Sequence, residues 1–142
     1  MSLLDHAIWW HVYPLGFVGA SIRPTADHLH DPAQPAYPAQ IDAPTPGSLT
    51  AWLDYAVGLG ANGLQLGPVF ASTSHGYDTV DYWHVDRRLG TDADLAALVR
   101  SFHDAGIAVV LDAVLNHTGR DFFAFQNLRE KGPESAYRGW YK

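Results

Sequence analysis

The stretch from Ile107 to Gly119, IAVVLDAVLNHTG, constrains the fold of this 142-residue chain more than any other. Its aliphatic and β-branched residues follow one another too densely for a strand that alternates between core and solvent. Such a run is typical of a parallel strand buried on both faces. Asp112, Asn116 and His117 follow at its carboxyl end, where α/β folds build their sites. A backbone cap at Asp112 and a plain turn at Asn116-His117 would fit the same pattern.

The preceding chain contains two further strand patterns and two helix patterns. Ala7 to Tyr13 predicts a first strand that ends at Pro14, and Asn62 to Leu66 predicts a second. Ser48 to Leu59 has apolar residues at helical spacing, and so does the segment that follows Thr91. The chain therefore alternates between strands and helices.

Residues at the ends of the later elements predict where they begin and stop. Thr91, with Asp94 three residues on, predicts a capping box at the start of the second helix. Gly106 ends that helix just before the organising strand. A short helix is expected from Asp121 to Lys131, where Gly132-Pro133 ends it.

Long loops follow the first two strands. Prolines at six positions between Leu15 and Pro46 exclude a long regular element there. Apolar residues are scattered through the same segment, which favours an ordered loop over a disordered linker. The second long loop runs from Val69 to Gly90 and is rich in Ser, Thr, His, Tyr and Asp.

This order predicts an α/β fold, a partial (β/α)8 TIM barrel made of about the first three βα units with long βα loops. Right-handed parallel βα series carry their sites on such loops, and a complete barrel needs about 250 residues. We expect residues 1–142 to be the N-terminal portion of one barrel domain, without a second complete domain. A doubly wound sheet is the alternative, disfavoured because Pro14-Leu15-Gly16-Phe17 does not resemble a phosphate-binding turn.

Composition excludes several classes of function. The net charge is −6 and no cluster of Lys or Arg occurs, so neither nucleic acid nor an anionic membrane is expected as a partner. Cysteine is absent, which excludes disulfides and thiolate chemistry. The N-terminus has no basic region ahead of an apolar core, so no signal peptide is predicted and the expected location is cytoplasmic. An aromatic content of 13% favours neutral ligands that stack on rings.

Several motifs of this chain are similar to conserved regions of one known family. Asp112-Ala-Val-Leu-Asn116-His117 resembles the first conserved region of the α-amylase family (glycoside hydrolase family 13), at the end of barrel strand three. The loop from His75 to Tyr82, HGYDTVDY, resembles the loop after strand two, and Leu66-Gly-Pro-Val-Phe70 resembles the end of that strand. The segments DFFAFQ from Asp121 and YRGWY from Tyr137 are similar to the neopullulanase and cyclomaltodextrinase branch.

The resemblance implies a role for each candidate site residue. Tyr77 would be the aromatic platform beneath the glucose at the cleavage point, and Asp78 would accept hydrogen bonds from its hydroxyls. His117 would donate to a sugar hydroxyl, and His75 would line the rim. Asp112 would support the floor of the site by pairing with an arginine further along the chain. The alternatives are loop packing for Tyr77, a cap within its own loop for Asp78, and a structural histidine at position 117.

The resemblance implies retaining hydrolysis of α-glucosidic bonds in cyclodextrin, maltooligosaccharide or pullulan by two carboxylates. In the family these lie on strands four and five, and no Gly-x-Arg-x-Asp pattern follows His117. We therefore expect an N-terminal fragment of such an enzyme, with no catalytic residue in this chain and no activity alone. No cofactor is expected to be required, although calcium binds at the position of Asn116 in many amylases.

Two other classes of function stay open. One is a non-catalytic carbohydrate-binding or interaction protein that retains the fold. The other is a metal-dependent hydrolase that uses Asp112, His117 and His75.

Whatever the function of the chain, three parallel strands cannot close a barrel, so we expect open sheet edges and self-association through them.

Overall fold

The computed structural model describes residues 5–23 and 48–142, which contain a three-stranded parallel sheet. Strands β1 (Trp9–Val12), β2 (Gly63–Leu66) and β3 (Ala108–Leu111) are neighbours in chain order. Each pairs in register with the next, so that Val12, Leu66 and Leu111 end side by side. The predicted parallel βα series is confirmed, and the three carboxyl ends lie at one edge of the sheet.

Four α-helices accompany the strands in the described part of the chain. They are α1 (Pro14–Phe17), α2 (Leu53–Gly58), α3 (Asp92–Asp104) and α4 (Phe123–Lys131). Short 3₁₀ turns occur at Thr50–Trp52, Gly132–Glu134 and Arg138–Trp140. The longest helix, α3, begins with the predicted capping box: the side chain of Thr91 accepts from the backbone N–H of Asp94, whose carboxylate accepts in return. This local arrangement stabilises the helix by about 1 kcal/mol.

Several predicted boundaries differ from the structure. The first strand ends at Val12, and Pro14 opens α1, because a missing N–H costs nothing in the first turn of a helix. The helix predicted from Ser48 begins with a 3₁₀ turn and becomes α-helical only at Leu53. Most of the proline-rich segment, residues 24–47, lies outside the described residues, and so does the ordered loop predicted there.

The core lies on one face of the sheet. Val12, Leu64 and Leu66 point to that face and are almost completely buried. Leu98 and Phe102 of α3 join them in the same cluster, and both are fully buried. Helix α3 therefore covers the sheet from this side, and the apolar pattern predicted for it is confirmed.

The opposite face of the sheet is exposed. His11, Gln65 and Val110 occupy the same register position on the three strands, and all three are exposed. The prediction that the organising strand is buried on both faces is wrong, because Val110 is 45% exposed. Among the described residues β3 pairs only with β2, and the helices cover only the other face. The dense apolar run indicated a parallel strand correctly but not its surroundings.

The loop after β2 has structure of its own. Isolated antiparallel bridges join Phe70 to Val85 and Ser72 to Thr79, so the chain leaves the sheet and returns beside itself. The segment 73–78 forms the tip of this excursion. It contains His75, Tyr77 and Asp78, three of the candidate site residues.

Candidate functional site

The loops after β2 and β3 meet at Gly119. Its N–H donates to the carbonyl oxygen of Thr79 at 2.7 Å. A β-carbon on Gly119 would lie 2.3 Å from the carbonyl oxygen of Asp78, which no larger residue could tolerate without backbone movement. In the same region Nε2 of His117 lies 2.9 Å from the carbonyl oxygen of Tyr77. The structure thus brings Tyr77, Asp78 and His117 together at the carboxyl edge of the sheet.

The carboxylate of Asp78 is held within its own loop. It accepts from the N–H of Ser74 at 3.1 Å and from the Ser74 hydroxyl at 2.6 Å, and His75 Nδ1 lies 3.9 Å away. Partial burial acts to raise the pKa of Asp78, but the hydrogen bonds from Ser74 outweigh it and hold the pKa below its ordinary value. The group is therefore ionised at neutral pH. Because a carboxylate has about four acceptor positions, it can accept further hydrogen bonds.

Tyr77 and Asp112 interact across the edge of the sheet. The backbone N–H of Asp112 donates to the carbonyl oxygen of Leu66 at 2.9 Å, which continues the pairing of β2 and β3 beyond the last strand residue. Burial raises the pKa of the Tyr77 phenol, and the charge of Asp112 and a hydrogen bond to it raise it further. The Tyr77 ring stays 40% exposed. An exposed ring can stack on a ligand.

His75 lies at the rim of this group. Its imidazole is exposed, its Nδ1 lies 3.2 Å from the N–H of Tyr77, and its ring centre is 6.2 Å from that of Tyr77. The hydroxyl of Tyr13, just after β1, donates to the carbonyl oxygen of His75 at 2.9 Å. All three strand ends therefore contribute to one site.

Tyr82 fixes the backbone of the loop after β3. Its hydroxyl lies 2.5 Å from the carbonyl oxygen of Val114 and 3.1 Å from that of His117. Asn116 is exposed beside it and lines an open cleft of about 350 Å³. Sequence reasoning included Tyr82 in a motif but assigned it no role, because its partners are backbone atoms distant in the chain.

The described residues, 5–23 and 48–142, contain no cluster of side chains suited to bind a metal ion. No group of three or more His, Cys, Asp or Glu side chains there could hold an ion. Asp112, His117 and His75 do not form such a group, so the metal-dependent hydrolase loses its support. Asn116 likewise has no carboxylate cluster around it, and the residues present do not fit a calcium site built from acidic side chains.

A buried ion pair beneath the loop tip was missed by sequence reasoning. Arg88 and Asp86 form a two-point pair, with Nε to Oδ1 at 2.8 Å and Nη2 to Oδ2 at 2.6 Å, and both side chains are almost completely buried. An Asp-Arg-Arg run in a polar loop carries no sign of burial. The signal becomes visible only once the loop is folded.

Two tryptophans line the same open cleft as Asn116. Trp83 is 67% exposed and Trp140 is 63% exposed. The ring centroid of Phe123 lies 6.5 Å from that of Trp83 and 6.4 Å from that of Trp140. Both tryptophans therefore lie on the surface of an aromatic group that also contains Tyr137, and not at the centre of that group.

Comparison with known proteins shows which family this chain matches. Residues 46–142 match the model of the α-amylase catalytic domain. A cyclomaltodextrinase from Geobacillus thermopakistaniensis is 34% identical over 145 residues, which cover 94% of this chain and 23% of that relative. An intracellular maltogenic amylase from Bacillus subtilis is 39% identical over 90 residues, 63% of this chain and 15% of that relative. The chain thus spans about a quarter or less of these relatives.

Solved structures agree with the sequence comparison. A cyclic α-maltosyl-(1→6)-maltose hydrolase from Arthrobacter globiformis, in its ligand-free form, superposes with a TM-score of 0.71 at 36% identity. The match covers 99% of this chain and 32% of that one. Among the residues that the structure describes, no helix is both long and apolar enough to cross a membrane.

Proposed function

Because this chain belongs to the α-amylase family, we propose that it forms the N-terminal part of the barrel of a retaining α-glucan hydrolase. The sheet supports a partial barrel, since its strands follow one another in chain order and its buried core lies on one face. A doubly wound sheet would carry helices on both faces. The relatives' names describe a cyclomaltodextrinase and a maltogenic amylase, so the proposed substrates are α-glucan oligosaccharides.

The observation that carries the proposal is the meeting of Tyr77, Asp78 and His117 at the carboxyl edge of the sheet. A sugar ring has apolar C–H faces and polar hydroxyl edges. The exposed ring of Tyr77 would stack on one face of a glucose unit, while the ionised carboxylate of Asp78 would accept from its hydroxyls. His117 would contact a further hydroxyl of this sugar at the same edge of the sheet.

Two other residues would support the binding group. Asp112 would orient Tyr77 through its phenol, in addition to the pairing with a later arginine that the family resemblance implies. His75 would line the rim of the pocket. In this proposal none of these residues transfers a proton or attacks the sugar, because the two carboxylates that do so belong to strands four and five in the family. The isolated 142-residue chain should therefore release no reducing sugar from maltotriose.

The remaining parts of the proposal rest on the relatives. No organic cofactor is needed for hydrolysis by two carboxylates. A cytoplasmic location is supported by the relative named an intracellular maltogenic amylase. A non-catalytic carbohydrate-binding protein is the second candidate, and it would use the same three residues. Turnover by the complete protein distinguishes the two.

Kinetics of the complete enzyme test the roles of Tyr77 and Asp78. Asp78→Ala removes charge-assisted hydrogen bonds, each worth roughly 1.5–3 kcal/mol, that tighten as the ring approaches its oxocarbenium-like transition state. Tyr77→Ala removes a stacking face that the ground-state sugar also uses, so part of its effect should be a raised KM. We expect a larger loss of kcat for Asp78→Ala. If Asp78 only caps its loop, its variant will melt at a lower temperature with kcat/KM nearly unchanged.

A further inference from the structure

Arg88 uses its complete set of side-chain donors beneath the candidate site. Its guanidinium has five N–H groups, and the structure gives each a partner: the two carboxylate oxygens of Asp86, the carbonyl oxygens of Ser21 and Ser74, and the Ser72 hydroxyl. The side chain is only 3% exposed. Arg88 therefore has no donor left for a ligand, and its role is to hold other parts of the protein.

Asp86 balances the charge of Arg88 and reaches the same loop. Besides the guanidinium, its carboxylate accepts from the N–H and the hydroxyl of Ser72, both at 3.1 Å, and from the backbone N–H of Arg88 at 3.0 Å. A buried charge pair is tolerated when every remaining polar atom finds a partner. Within residues 5–23 and 48–142, no buried side-chain polar atom lacks one.

The network leads directly to the carboxylate of Asp78. Arg88 Nη1 donates to the carbonyl oxygen of Ser74 at 2.6 Å, and the N–H and hydroxyl of the same Ser74 donate to Asp78. Ser72 anchors the other side of the tip, because its hydroxyl accepts from Arg88 and from the N–H of Gly76 at 3.0 Å. In the chain, His75 lies between Ser74 and Gly76, and Tyr77 lies between Gly76 and Asp78.

We infer that Arg88 is the positioning residue of the sugar-binding loop, fixing Ser72 and Ser74 so that Ser74 presents the carboxylate of Asp78 to the ligand. Through the carbonyl of Ser21 it also joins this loop to the segment after α1. Lysine could not replace it, since an ammonium has three donors and no planar fork. The inference rests on the proposed role of Asp78 in binding sugar.

The test compares Arg88→Lys with Arg87→Lys, a matched change at the adjacent, half-buried arginine. The pKa of the Asp78 carboxyl is measured by ¹³C NMR titration of the 142-residue chain. We expect Arg88→Lys to raise this pKa toward the ordinary aspartate value, because a displaced Ser74 no longer stabilises the ionised form. Arg87→Lys should leave it unchanged. An unchanged Asp78 pKa in a folded Arg88→Lys variant, judged by dispersed amide signals, overturns the inference.

A second variant decides the matter if Arg88→Lys does not fold. Ser72→Ala keeps the Arg88–Asp86 ion pair but removes the hydroxyl that joins Arg88 to the N–H of Gly76. Its Asp78 pKa should also rise, and no change would overturn the inference.

Maltotriose binding to the same variants separates this inference from the proposed function. We expect Arg88→Lys to weaken it about tenfold, the effect of about 1.4 kcal/mol, and Arg87→Lys to have no effect. If maltotriose binds neither the wild-type chain nor the complete protein, the proposed function fails, while the Asp78 titration still decides the role of Arg88. If it binds Arg88→Lys as tightly as wild type, the positioning role fails.

Discussion

The backbone of Gly119 lies directly against that of Asp78, so that a β-carbon at position 119 would stand 2.3 Å from the Asp78 carbonyl oxygen. The adjacent N–H of Gly119 bonds to Thr79. Neither loop can move away from the other without losing this contact. The place of the candidate carboxylate in the site therefore depends on a residue with no side chain.

Replacing Gly119 with alanine should separate the two loops. The added methyl group meets backbone rather than a flexible side chain, so we expect a loss of about 1–3 kcal/mol in the free energy of unfolding. Urea denaturation measures this loss. Gly139→Ala is the matched control, because a β-carbon there meets nothing within 4 Å. Equal stability of the two variants would contradict the close packing at Gly119.

The pair of His84 and Asp81 predicts a pH effect. Nδ1 of His84 lies 2.7 Å from Oδ2 of Asp81, and the hydrogen bond to Asp81, followed by its charge, raises the pKa of His84. Asp81→Asn should lower that pKa toward about 6.5. NMR titration of the imidazole measures the change, with Asp54→Asn on α2 as a control that should leave it unaltered.

The same pair should stabilise the fold over a defined range of pH. Because the folded pKa of His84 is raised, its contribution is fully present below the unfolded pKa and is lost as pH rises through the folded value. The difference in Tm between wild type and Asp81→Asn should therefore be larger at pH 5.5 than at pH 9, values chosen on either side of about 6.5. It should be small, since the pair is exposed. A difference that grows toward pH 9 would contradict this account.

The outer edge of β3 predicts self-association. In the described part of the chain β3 pairs only with β2, and Val110 is 45% exposed on the uncovered face. Lysine on an edge strand discourages pairing with a second chain. We expect Val110→Lys to lower the average mass found by sedimentation, whereas Leu115→Lys, at an 80% exposed loop residue, should not. A wild-type chain that stays monomeric at micromolar concentrations would contradict the prediction.

Local signals predicted part of this fold, and the motif resemblance predicted the family that the comparison confirms. Thr91 and Asp94 predicted a helix start correctly because both partners lie within one turn. The exposure of Val110 depends on what covers the sheet, which the composition of β3 does not encode. The Arg88 network was missed because it joins residues up to 67 positions apart, such as Ser21. The resemblance named Asp78 as a candidate, but not the residues that hold it.

Sugar binding to the 142-residue chain tests the central claim most directly. The chain is titrated with maltotriose while the backbone and side-chain NMR signals are followed. We predict shifts centred on Tyr77, Asp78 and His117, which Asp78→Asn abolishes and Asp81→Asn preserves. Undiminished binding by a folded Asp78→Asn variant, or shifts confined to other parts of the chain, would contradict the assignment of this edge of the sheet as a glucose-binding site.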